Sequence, residues 1–298
     1  MSSRWIKALA VVAIVWCVLM VGQAVVANIG LNWLSHMFDF GGMIGQAKAT
    51  RETSDSFSSS DVDSVLVQSE NGSIVVAGTD DDQITLTAKF SARAGTQAAA
   101  DQALAKMQSR NTIENRNLQI IADYGRSQKN GLQISYELSV PHRMLLRANT
   151  SNGNIDVHGV QGQLILKTSN GSIEVRSEAE LGDVNASTSN GNVDILFGTG
   201  QANIHATTSN GSVYVTGQPS GGTCTLRSSN GNVEAVFPES LGVELDASVG
   251  NGTLDIGEGQ WTIVGGKISS KNIQATRGDG ALRLDISTGN GKVIVGRK

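Results

Sequence analysis

The tripeptide Ser-Asn-Gly stands at 151–153, 169–171, 189–191, 209–211 and 229–231, and this recurrence limits the possible folds more than any other feature of the 298 residues. Degenerate copies follow at Gly250-Asn251-Gly252 and Gly289-Asn290-Gly291, with Ser269-Ser270-Lys271 between them. The units start at 151, 169, 189, 209, 229, 250, 269 and 289, which are 18, 20, 20, 20, 21, 19 and 20 residues apart. A period of that length is the signature of a solenoid.

Within each unit the fifth and seventh places are aliphatic or small: Ile155/Val157, Ile173/Val175, Val193/Ile195, Val213/Val215, Val233/Ala235, Leu254/Ile256, Ile273/Ala275 and Val293/Val295. Alternation by two is a strand with one buried face. A second alternation falls later in the unit, as in Leu164/Leu166, Ile204/Ala206, Cys224/Leu226 and Leu282/Leu284/Ile286. Each unit therefore reads as strand, turn, strand, turn. A unit this short cannot bury its own apolar face, but copies stacked about 4.8 Å apart share one core, and eight would extend roughly 38 Å. The Asn-Gly pair marks one corner, because Gly tolerates positive φ and Asn hydrogen-bonds locally. In register, Asn152, Asn170, Asn190, Asn210, Asn230, Asn251 and Asn290 would form an asparagine ladder. An array of antiparallel hairpins is the alternative, since Asn-Gly is also a hairpin turn.

The pattern extends backward. Asn71-Gly72-Ser73-Ile74-Val75-Val76 copies the motif, Ile84 to Phe90 supplies a following strand, and residues 96–110 read as a short helical insertion. Strands resume at Leu118–Ala122 and at Leu132–Val140, which ends at Pro141.

The N-terminus sets the compartment. Residues 6–27 are almost wholly apolar and long enough to cross a membrane. Arg4 and Lys7 flank the run, and no acidic residue occurs before Asp39, so residues 1–5 are expected in the cytoplasm and the remainder outside. A cleaved signal peptide is the alternative. Residues 28–60 then read as a juxtamembrane connector, with an apolar first half and a Ser-rich flexible spacer from Thr50 to Ser60.

A motif Asn-Gly-polar-Ile-x-Val about every 20 residues, an earlier copy at Asn71 and the extended Ser139-Val140-Pro141 together resemble the DUF4097 family of bacterial adhesin-like proteins. The resemblance covers residues 61–298. It implies a single-stranded parallel β-helix and an envelope location, and it carries over no functional residue.

The sixth place of the repeat points outward and is often acidic: Asp156, Glu174, Asp194, Glu234 and Asp255, with Tyr214 interrupting. Stacked like charges either splay into water or bind a cation, and the calcium-binding β-roll pattern is absent, so a solvated face is the reading. Sugar-cleaving β-helices need paired carboxylates in a groove lined for sugar. Here Phe197, Tyr214, Phe237 and Trp261 are the few aromatics of the repeat, and Phe237 and Trp261 read as corner packing. His158 and His205 occupy different places in their units and make no ligand column. The repeat serines lack a nucleophile elbow. Cys224 reads as a small buried hydrophobe, and Cys17 and Cys224 make no disulfide framework. Thr150, Thr168, Thr188, Thr208 and Ser228 form a hydroxyl column, without the flat Thr-x-Thr array of ice-binding solenoids. With 23 Lys+Arg against 27 Asp+Glu and no basic cluster, nucleic acid is not an expected partner.

The sequence thus predicts an all-β single-stranded parallel β-helix with about 20 residues per coil, an N-terminal transmembrane helix and a helical insertion. The function expected is non-enzymatic: a membrane-anchored envelope module for binding or structure, with no catalytic, cofactor-binding or metal residues. Envelope polysaccharide or protein is the expected ligand. Because only Gly296, Arg297 and Lys298 follow the last strand, the final coil reads as uncapped and open to self-association. Alternatives are an accessory of envelope-stress signalling acting through its membrane segment, and a polysaccharide-active enzyme.

Overall fold

Two strands per coil, joined at the Asn-Gly corner, build the molecule. The computed structural model describes residues 47–125, 130–257, 260–264 and 269–297. The first elements are β1 (Ala47–Ser58), β2 (Ser64–Gln68), β3 (Ile74–Thr79), β4 (Gln83–Ala94), α1 (Gln97–Ala105), β5 (Gln108–Glu114), β6 (Asn117–Asp123) and β7 (Leu132–Pro141). Short strands then alternate: β8 (Leu145–Asn149), β9 (Ile155–His158), β10 (Leu164–Lys167), β11 (Ile173–Ser177), β12 (Val184–Asn190), β13 (Val193–Phe197), β14 (Gln201–Asn210), β15 (Val213–Thr216), β16 (Gly221–Asn230) and β17 (Val233–Phe237). The chain closes with β18 (Val243–Asp255), β19 (Thr262–Ile263), β20 (Asn272–Arg277) and β21 (Leu282–Arg297).

Parallel pairing sorts these strands into two ladders. The first runs, in space, β6, β2, β8, β10, β12, β14, β16, then the first half of β21 and the first half of β18. The second runs β7, β3, β9, β11, β13, β15, β17, then the second halves of β21 and β18. Nine coils at about 4.8 Å make eight intervals, or about 38 Å. The units pair in parallel with one another, so the fold is the solenoid rather than the hairpin array. Inward residues alternate along both ladders as the two-residue period requires: Leu164 and Leu166 on one side face the core with Ile173 and Val175 on the other, all buried. Each such side chain contributes about 1.5–3 kcal/mol by leaving water.

Spatial order departs from chain order at both ends. At the N-terminal end, β2 and β3 lie between the coil of β6 and β7 and that of β8 and β9. At the C-terminal end, β21 enters between the coil of β16 and β17 and the strand β18. The unit expected at 269 is no coil, because β20 runs antiparallel to β18 and covers its first half. The expectation of an uncapped final coil is therefore corrected: β21 has a parallel partner on each side, and β20, with β19 beside it, covers the first half of β18. Among the described residues the open edge lies instead along Asn251–Asp255 of β18, beyond the reach of β20.

The N-terminal cap is antiparallel. β4 pairs with β7, β1 with β4, and β5 with β6. The flexible spacer read at Thr50–Ser60 is mostly strand, since β1 pairs with β4 along its whole length. Its polar composition reflects an exposed position in the cap rather than flexibility. The insertion is helical over a narrower range than 96–110: Thr96 Oγ1 accepts from Ala99 N at 3.3 Å, the Ala-rich segment forms α1, and β5 starts at Gln108. The apolar run 6–27 and the first half of the connector lie outside the described residues. Among the described residues no helix is long and apolar enough to cross a membrane.

Candidate functional site

At the corner the chain passes from the first ladder to the second through Thr/Ser-Ser-Asn-Gly, and three columns of hydrogen bonds tie successive coils there. In the first, the asparagine carboxamides form an unbroken ladder. Asn152 Nδ2 donates to Asn71 Oδ1 at 2.7 Å, Asn170 to Asn152 at 2.9 Å, Asn190 to Asn170 at 2.9 Å, Asn210 to Asn190 at 2.9 Å and Asn230 to Asn210 at 3.0 Å. Asn290 then donates to Asn230 at 2.8 Å and Asn251 to Asn290 at 2.9 Å. All seven predicted asparagines take part, Asn71 joins them, and Asn290 precedes Asn251.

The second column is buried. Thr150, Thr168, Thr188, Thr208, Ser228 and Thr288 turn their hydroxyls inward and donate to the carbonyls of Gly72, Gly153, Gly171, Gly191, Gly211 and Gly231, at 2.8 to 2.9 Å. These hydroxyls are spent within the protein and offer no ice-facing array. The third column escaped the sequence reading, although its signal is plain in retrospect: from Ser73 through Asn154, Ser172, Asn192 and Ser212 to Asn232, the residue after the corner Gly is alternately Ser and Asn. Ser172 N donates to Asn154 Oδ1 at 3.0 Å, Asn192 N to Ser172 Oγ at 3.2 Å, Ser212 N to Asn192 Oδ1 at 2.9 Å and Asn232 N to Ser212 Oγ at 3.1 Å.

The corner admits only glycine after the asparagine. A Cβ on Gly211, at φ +154°, would stand 2.0 Å from Gly191 O, and one on Gly231 would stand 1.9 Å from Gly211 O. Coils can approach this closely only where no side chain intervenes. At the first corner Tyr124 substitutes for part of the repeat: its hydroxyl donates to Asn71 O at 2.9 Å and accepts from Asn71 N at 2.9 Å.

Each ladder presents one outward face. On the second, register places Asp156, Glu174 and Asp194 side by side, then Tyr214 and Glu234, then Ile294, with Asp255 last. The acidic column is thus a run of three carboxylates plus two separated ones. Glu174 is held below the usual carboxylate range by the hydrogen bond it accepts from Arg176. Partial burial pushes Asp156 and Asp194 above it, and Glu174 adds repulsion to both. Among the described residues no group of His, Cys, Asp and Glu is arranged to hold a metal ion. His158 lies on this face beside Arg176, whereas His205 lies on the other between Asn185 and Thr225. The first face carries Arg147 and Lys167 near one end and Asp246, Asp285 and Glu244 near the other, with Arg227 Nη2 donating to Asp285 at 2.7 Å.

The remaining sequence candidates are structural. Cys224 is buried, with its thiol pushed up to about 12 by desolvation. Phe237 lies in the core, and Trp261 belongs to the C-terminal cap, its Nε1 donating to Ile256 O at 3.2 Å under the Arg277 guanidinium, 4.9 Å from the ring. Concavities are shallow and open. One of about 490 Å³ lies beside the corner between Gln68, Glu70, Ile121, Asn149 and Lys167, and one of about 410 Å³ lies on the N-terminal cap between Lys48, Arg51, Glu52, Lys89 and Gln133.

The chain matches no known family model and no curated protein. Solved structures similar to it include a "putative cell adhesion protein" from Clostridium sporogenes, at 10% identity over 84% of this chain and 100% of that one, with a TM-score of 0.33. Others are a "putative adhesin" from Bacteroides fragilis (14% identity, 82% and 96%, TM-score 0.32) and a "putative lipid binding protein" from Parabacteroides distasonis (13% identity, 84% and 95%, TM-score 0.33). Superpositions this loose carry no argument about the fold or role of this chain, which rest on its own residues.

Proposed function

We propose that this chain is a non-enzymatic envelope module of the DUF4097 type, anchored by residues 6–27 and displaying its solenoid outside the cytoplasmic membrane to bind an extended polymer. The observation that supports this reading is the regularity of the outward faces. Outward places recur coil after coil in strict register while their side chains vary, from Arg147 through His205 to Asp246 on one face, so an extended ligand meets a row of side chains about 4.8 Å apart along about 38 Å. Affinity in such a module comes from many weak contacts, not from one deep pocket. Envelope polysaccharide and an elongated envelope protein are the partner classes that fit.

The test is co-sedimentation of the full chain with isolated cell envelopes and with purified wall polysaccharide, with and without calcium. Saturable binding that weakens when outward residues of several adjacent coils are replaced together supports the proposal, and calcium dependence would bring the acidic column into it. Absence of binding would refute it and leave the membrane segment as the seat of function, as in an accessory of envelope-stress signalling. Release of sugar fragments in the same assay would overturn the non-enzymatic reading.

A further inference from the structure

Asn-Gly is the dipeptide most prone to spontaneous deamidation, because a glycine nitrogen can reach the preceding side-chain carbonyl carbon without steric hindrance from a Cβ. This chain carries eight such pairs in one ladder. In the internal rungs the reaction is blocked twice. The carboxamide is held from both sides by its neighbours, and the glycine N–H that must lose its proton is donated to the asparagine carbonyl of the next coil. Gly171 N donates to Asn190 O at 2.9 Å, Gly191 N to Asn210 O at 3.0 Å and Gly231 N to Asn290 O at 2.9 Å. At the N-terminal end the same bond protects Asn71, since Gly72 N donates to Asn152 O at 2.9 Å.

The other end differs. Asn251 donates to Asn290, but among the described residues no coil follows to occupy its Oδ1 or to receive the Gly252 N–H. The covering strand β20 pairs with β18 only from Val243 to Ser248, and the last backbone bond on this side runs from Val249 N to Lys271 O. Asn251 and Gly252 are both exposed.

We infer that Asn251 is a modification site: the one rung of the ladder that converts spontaneously to aspartate and isoaspartate. The Gly252 nitrogen gives up its proton to solvent and bonds to Asn251 Cγ. The bond from Cγ to the amide nitrogen breaks, and ammonia leaves with a proton taken from water. The cyclic imide then adds one water and opens at either carbonyl, giving an α-linked aspartate or an isoaspartate. Either product lacks the Nδ2 donor that binds Asn290 and places a carboxylate at the end of the ladder. Isoaspartate also lengthens the backbone by one carbon at the point where Asn251 and Gly252 register with Asn290 and Gly291. Thr253 to Asp255 then loosen, and the solenoid ages from its outer end inward.

The test is incubation of the full chain in mildly alkaline buffer at physiological temperature, with peptide mapping by mass spectrometry and an isoaspartate-specific methylation assay. Conversion at Asn251 at least ~10-fold faster than at any internal rung is expected, because internal rungs react only through local opening. Asn130, in the Asn-Gly pair outside the ladder, is exposed and serves as the reference for an unprotected site. In denaturant all nine pairs should converge on similar rates. Asn251→Gln should abolish the ladder signal without moving it to Asn290. Equal rates at Asn251 and the internal rungs of the folded chain, or a faster Asn251 in denaturant as well, would overturn the inference.

Discussion

Replacing Thr188 by valine tests the buried hydroxyl column with almost no change of shape. Thr188 is 7% exposed and its Oγ1 donates to Gly171 O at 2.8 Å; among the described residues no backbone N–H serves that carbonyl. Valine keeps the branched volume and removes the donor, so a half-buried carbonyl loses its partner at a cost of about 1–3 kcal/mol. For a domain of this size, about 2 kcal/mol corresponds to a fall in Tm of about 4–8 °C. The control is Thr207→Val, in the next coil and one place before its column residue Thr208, where the side chain faces outward and the change should stay within about 0.5 kcal/mol. Thermal unfolding followed by circular dichroism gives the difference. Hydrogen exchange at Gly171 and Asn190 localises it, which matters because repeat arrays need not melt in one step. The chain contains its own variant: Val249 occupies this place in the last coil, where the repeat is weakest. Equal melting of the two variants would refute the role given to the column.

Gly211→Ala should destabilise by at least ~4 kcal/mol, since its Cβ would sit 2.0 Å from Gly191 O, whereas Gly95→Ala, with open space around it, should be neutral or stabilising by up to ~1 kcal/mol; denaturant titration compares them. Asp194 has a raised folded pKa, so its protonated form favours the folded state and that contribution is lost as pH rises through the folded value. Asp194→Asn should therefore raise Tm at neutral pH and have no effect well below the ordinary carboxylate pKa of 3.8, as a pH series of melts would show. Glu174 works in the opposite sense, stabilising at neutral pH and losing that contribution on acidification. Deleting residues 289–298 removes the strand between β17 and the second half of β18; limited proteolysis should then remove the cap back to about residue 238 while earlier coils persist.

The sequence made the contents of each coil legible, and the neighbours of each coil much less so. Inward places such as Ile173 and Val175 could be read because one face of every strand is buried, which imprints a period of two. The asparagine ladder followed from the shared phase of the repeats. Order was hidden because parallel pairing is non-local: a coil in register accepts any other coil, and nothing in the motif at 289 says that it docks on 229 before 250. The unit at 269 misled for the same reason, since Ile273 and Ala275 alternate equally well in an antiparallel cover strand. β1 escaped notice because its side chains are mostly exposed, leaving a polar strand that resembles a linker. The acidic column was correct in place, but Ile294, inserted with β21, separates Asp255 from Glu234.

The position of β21 is the feature on which the architecture turns, and paired cysteines test it directly. Thr225 registers with Asp285, which registers in turn with Asp246, so the first two lie one interval apart and Thr225 and Asp246 lie two, or about 9.6 Å. A disulfide bridges Cα atoms up to about 7 Å apart. The native Cys224 thiol is buried and pushed up to about 12, so it does not compete. Under mild oxidation the full chain with Thr225→Cys and Asp285→Cys should close an intramolecular disulfide, and the chain with Thr225→Cys and Asp246→Cys should not. The reverse outcome would show that the coils stack in chain order and would contradict the inserted strand.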